Sequence, residues 1–198
     1  MATIQEAMSN SAKLLEAATN GTVEPAALTA EVTKLLASGL SARGFMAALT
    51  TGDLPKDVKI RAALIAGIKA GKESAYELII KNIIMSGCSA NAHEKNGRIE
   101  EARRSRATSD SSLELARLLN DSSLAALAQE ALEAIAHWPL SATEAANQAE
   151  TAVAGDQAEA LTKNANLTNW HKFFERWGYS QSYLEAVKEP LASIVGAG

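Results

Sequence analysis

Helix start and stop signals recur along this chain at intervals of one helix length, and they leave little room for any other fold class. Thr3-Ile4-Gln5-Glu6 has the form of a capping box. Its threonine oxygen accepts from a free backbone N–H while the glutamate returns the bond, and Gly21 suits the left-handed turn that closes a helix over about 4–19. Pro25 suits the first turn of a second helix, with Leu28, Val32, Leu35 and Leu36 on one face before Gly39. Ser41 reads as a cap for a segment pairing Phe45 with Leu49. Pro55 reads as the start of a helix with a stripe of Val58, Leu64, Ile65 and Ile68 that ends at Gly71.

Ser74 reads as the next cap, ahead of "AYELIIKNIIMSG". Leu78, Ile79, Ile80, Ile83, Ile84 and Met85 make that segment apolar around much of its circumference, so several neighbours must bury it. An isoleucine-rich run also fits a strand, but no partner strand is visible elsewhere. The expectation is an all-α, single-domain bundle of about seven to nine helices over 1–198, organised on a central buried helix near 74–92. Alanine is abundant, while the β-branched and aromatic residues that favour strands are sparse.

After Gly97 the composition turns polar, and a surface helix or long loop is expected between halves 1–97 and 110–198. Consecutive helices elsewhere should pack antiparallel across short links. Ser111-Ser112-Leu113-Glu114 and Ser141-Ala142-Thr143-Glu144 have capping-box form, the second opening a helix to Gly155. Between them, Leu124, Leu127, Leu132 and Ile135 point inward on a helix that ends near Pro139.

Six of the nine aromatic residues fall between Trp170 and Tyr183. Trp170, Phe173, Phe174 and Trp177 sit at i, i+3, i+4 and i+7, with Gly178 as the stop. Core packing accounts for such a stripe, and so does an interface, because tryptophan and tyrosine anchor partners well. Trp170, Phe173, Trp177 and Tyr183 are the binding candidates, with Phe174 and one tryptophan expected inside.

A formal net charge of −4 gives no general attraction to phosphate backbones, which argues against nucleic acid. No apolar run approaches the roughly 20 residues of a membrane span, and no basic region precedes an apolar one at the N-terminus. One cysteine makes no internal disulfide. A cytoplasmic location is expected.

Three patterns carry chemistry. In "SGCSANAHEKNG", Cys88 precedes His93 and Glu94. On a continuous helix five positions turn two side chains about 140° apart, so a thiolate–imidazole pair fails; a break at Gly87 would allow one. Arg98, Arg103, Arg104 and Arg106 form a basic stretch able to hold an anion, but Glu94, Glu100 and Glu101 offset it, as on a solvated face. Glu133 and His137 are spaced i, i+4, yet two ligands make no metal site, so neither metal nor cofactor is expected.

"GFMAALTTGD", "IIKNIIMSGCSANAHEKNG" and "FFERWGYS" resemble stretches of uncharacterised helical proteins from photosynthetic bacteria. That resemblance implies a soluble bacterial protein and brings no functional motif. Two functional classes fit the sequence. One is a non-enzymatic protein acting through a protein partner or itself, for example as a homodimer. The other is an enzyme or small-ligand protein with a polar pocket around Asn91, His93 and Glu94, near Cys88.

Overall fold

The computed structural model describes residues 3–139 and 157–196, and among them there is helix and no strand. The elements are α1 (Ile4–Thr19), α2 (Pro25–Leu36), α3 (Gly39–Thr51), α4 (Val58–Ala70), α5 (Lys72–Lys95), α6 (Ile99–Leu119), α7 (Ser122–Ala136), α8 (Gln157–Arg176), a single turn α9 (Gln181–Leu184) and α10 (Lys188–Val195). A 3₁₀ turn, Glu185–Val187, joins the last two. Nine of these helices have eight residues or more, so the all-α expectation holds.

Local chemistry sets several ends as expected. The Thr3–Glu6 capping box is formed in both directions, at 3.2 Å and 2.8 Å. Pro25 is the first residue of α2. Gly21 and Gly178 close α1 and α8 at φ +73° and +63°, a region that glycine enters without strain.

Other boundaries differ. Gly39 starts α3 rather than stopping α2, which places Ser41 inside the helix. The fourth helix begins at Val58 and not at Pro55, because the Asp57 carboxylate accepts from the N–H groups of Lys59 and Ile60 at 2.9 Å. Val58 is therefore a first-turn residue, 70% exposed, while Leu64 and Ile68 carry the buried stripe. α5 starts two residues before Ser74. The Ser111–Glu114 box does not form: Ser112 lies within α6 and donates to the Thr108 carbonyl at 2.8 Å. A short polar side chain inside a helix satisfies itself this way as readily as it caps one. The Ser141–Glu144 box and the helix to Gly155 lie outside the described residues.

Region 90–112 is helical, interrupted only at Asn96–Arg98. α5 and α6 pack as a long antiparallel hairpin: Ser109 Oγ donates to the Ile83 carbonyl at 3.3 Å, and Arg106 reaches Glu94 near the turn. The first four helices break the expected neighbour packing. α1 lies chiefly on α3 and α2 on α4, crossing where side chains are small. A Cβ on Gly67 would stand 2.8 Å from that of Val32, and beside this crossing Thr29 Oγ1 donates to the Ala63 carbonyl at 3.0 Å.

The core runs from Leu28, Leu36, Phe45 and Leu64 through Tyr76, Ile79, Ile80, Ile83 and Ile84 of α5 to Leu115, Leu119, Ile135, Phe174 and Leu191. α5 is its axis, as a segment apolar around much of its circumference demands. Among the described residues no helix is long and apolar enough to cross a membrane.

Candidate functional site

The tail formed by α9, the 3₁₀ turn and α10 lies on the C-terminal half of α5 and on α7, and α8 packs chiefly on α7. α5 is continuous through Gly87 to Lys95, which places Cys88 and His93 on different faces. The glycine serves packing instead: a Cβ there would stand 2.5 Å from Cγ1 of Val187.

Cys88 is 1% exposed, and its Sγ lies 3.4 Å from the Tyr183 carbonyl. Burial pushes the thiol pKa up to about 12, the opposite of what a nucleophile needs at neutral pH. Half-buried His93 has an enclosed Nδ1 with no hydrogen-bond partner. Glu94 is exposed and pairs with Arg106 at 2.8 Å. Asn91 Nδ2 approaches the Ser182 carbonyl at 3.5 Å. Asn91, Glu94 and Arg106, with Ser109, Asp110 and Val187, line a cleft of about 240 Å³ between the hairpin and the tail, to which neither Cys88 nor His93 contributes.

Of the basic stretch, Arg103 pairs with Glu100 at 3.0 Å, and Arg98 and Arg104 stand exposed on α6 and its approach. His137 ends α7 in an exposed position, one turn beyond Glu133. Among the described residues no three His, Cys, Asp or Glu side chains converge as a metal site would require.

The aromatic stripe divides. Trp170, Phe173 and Phe174 are buried, whereas Trp177, one residue past the end of α8, is 51% exposed. The Gly178 turn sets that change of direction, with Gly178 N–H donating to Glu175 at 3.0 Å and Tyr179 N–H to Phe174 at 3.1 Å. Tyr183 is half-buried, and Lys95 Nζ stands 4.6 Å from its ring centre.

Two members of the buried cluster carry no periodic signal in the sequence. Trp138 stands edge-on to Phe174 at 5.7 Å, and its Nε1 donates to the Tyr179 carbonyl at 3.0 Å. His171 lies 5.5 Å from the Trp138 ring, with Nε2 at 3.0 Å from the Ala134 carbonyl. Burial lowers the His171 pKa, the Ala134 bond opposes that shift, and His137 adds to it. Lys81 covers the outer edge of the cluster, 5.3 Å from the Phe173 ring centre, and is paired with Glu77.

A family model described as "Uncharacterised conserved protein UCP020893" matches residues 3–139. The chain belongs to this family. No curated protein and no solved structure matches it. The matched stretch holds α1 to α7, including the α5–α6 hairpin and the wall of the groove beneath the tail, while α8 to α10 lie beyond it.

Proposed function

We propose that this protein is non-enzymatic and acts by protein–protein contact, with self-association included, and that Trp177 is an anchor of the contact. The exposure of Trp177 carries this reading, since it stands beside rings that the fold buries and on a turn that holds it outward. A tryptophan offers much apolar area at small entropic cost, which is why interface hot spots are rich in it. A bacterial setting fits the resemblance of the three quoted stretches.

Sedimentation of wild type against Trp177→Ala tests the reading, with circular dichroism as control. Association in the wild type, weakened by roughly 2 kcal/mol or more in the variant at unchanged helicity, is the expected result. A wild type that stays monomeric at every concentration, and whose captured partners are unchanged by Trp177→Ala, removes it.

A second reading has one observation in its favour. The cleft at Asn91, Glu94, Arg106 and Asp110 presents both charge signs and amide polarity in a space suited to a small polar ligand. A thermal-shift screen of small zwitterions and organic acids, repeated on Arg106→Gln, tests it.

A further inference from the structure

Residues 181–195 lie on α5, α6 and α7 in a groove built entirely within the family-matched stretch, although the tail itself lies outside that stretch. The tail presents Leu184, Val187, Leu191 and Ile194 to the groove, at i, i+3, i+7 and i+10, and all four are buried. The fit is specific at one point, where Gly87 leaves room for Val187 and for no Cβ of its own.

Polar attachment is much weaker. The first turn is held by Gln181 to the Ile135 carbonyl at 3.4 Å, Asn91 and Lys95 to Ser182 at 3.5 Å, and the long sulfur contact of Cys88 with Tyr183. These nitrogen contacts lie well beyond the usual 2.9–3.0 Å, and further along the tail Arg117 of α6 donates to Ser193 Oγ at 3.2 Å. Upstream stands Gly178, already in a left-handed conformation and exposed, a position able to absorb a change of chain direction once the 3.0 Å bond from Trp138 to the Tyr179 carbonyl is broken.

We propose that residues 181–195 open about Gly178 as a unit while the rest of the fold stays closed, and that the vacated groove takes the same tail from a second copy of this chain. A terminal segment held by one apolar face and few polar bonds to the body opens below the cost of global unfolding. Exchange between copies then re-forms the contacts the tail makes at home. Among the described residues it is Val187 of the tail that fits against Gly87, so the tail of a second copy is the partner that matches. This inference rests on the self-association reading and names its surface, distinct from Trp177.

The single cysteine reports on opening, because the tail covers it. Alkylation of Cys88 in the full-length chain should show a much shallower denaturant dependence than unfolding followed by circular dichroism. A fluorescein-labelled peptide of residues 180–196 supplies the tail in trans. Val187→Ala loosens the resident tail, so Cys88 should alkylate several-fold faster and the peptide should bind several-fold tighter. Gly87→Val blocks the groove to any tail, so alkylation should also quicken while peptide binding falls at least tenfold. General destabilisation moves both variants the same way and would overturn the proposal. So would Cys88 alkylation that tracks global unfolding. If the peptide fails to bind but wild-type dimers persist and are lost in Trp177→Ala, the tail exchange is refuted and the interaction reading stands.

Discussion

Gly44 of α3 lies so close against Ala7 of α1 that a Cβ added to it would stand 2.5 Å from the Ala7 Cβ and 2.8 Å from the Ala7 carbonyl carbon and the Met8 nitrogen. Two of the three atoms are backbone, so relief would require the helices to separate. Gly44→Ala should therefore destabilise the fold. The substitution gains about 1 kcal/mol of helix propensity and loses about 1–3 kcal/mol to overpacking, and the clash with rigid backbone puts the loss at the upper end. Gly39→Ala in the same helix meets nothing within 4 Å and should be neutral or stabilising by about 0.5 kcal/mol. Urea melts of the two variants check the contrast, and equal effects would mean that α1 and α3 do not cross at Gly44.

The aromatic stripe predicts a division of its own. Trp170→Ala removes a buried ring that touches Phe173 and Phe174 and should cost about 3–5 kcal/mol. Trp177→Ala, at a half-exposed position, should cost less than about 1 kcal/mol. Thermal melts at one concentration, low enough to suppress association, would decide. A large loss in Trp177→Ala would return that residue to the core.

His171 makes stability depend on pH. Its folded pKa lies below the ordinary value of 6.5, because burial disfavours the imidazolium, so the unfolded chain takes up this proton first. Stability should be full above pH 6.5 and fall as the pH drops below it towards the folded pKa, with a slope of at most about 1.4 kcal/mol per pH unit. His171→Gln should flatten the curve below about pH 6.5. An unchanged slope in that variant would show that another group sets it.

The Arg106–Glu94 pair should contribute little. Both side chains are more than half exposed, so Arg106→Ala should change stability by less than about 1 kcal/mol, and salt should shrink even that. A chemical denaturation series at two ionic strengths tests this. A larger, salt-resistant loss would mark the cleft at the hairpin turn as more than a solvated face.

Much of the helical plan is readable without coordinates. The capping box at Thr3, Pro25 at the head of α2, and the glycines at 21 and 178 are local chemistry, satisfied by atoms a few residues apart. Ser41, Pro55, Ser74 and Ser112 mislead for the same reason: a serine or proline near a helix start is compatible with several registers. The choice is made by a competing cap such as Asp57, or by a backbone carbonyl such as that of Thr108.

The candidate site shows the other limit. Periodicity puts Trp170, Phe173, Phe174 and Trp177 on one stripe, but the turn at Gly178 and the arrival of Trp138 from the end of α7 decide which of them meet solvent. Cys88 sits in sequence near His93 and Glu94, yet its neighbours in space are Tyr183 and Tyr179.

By itself, then, the sequence determined that the described residues are helical, where several of their helices begin and end, and that α5 lies at the centre of the core. Those properties follow from interactions between residues three or four apart and from the apolar circumference of one segment. Tertiary structure alone decided that α1 crosses α3 at Gly44, that Gly87 receives Val187 from the tail, and that Cys88 is sealed beneath that tail. Each is a contact between segments far apart along the chain, settled by shape complementarity over whole faces, and no local spacing encodes which faces meet.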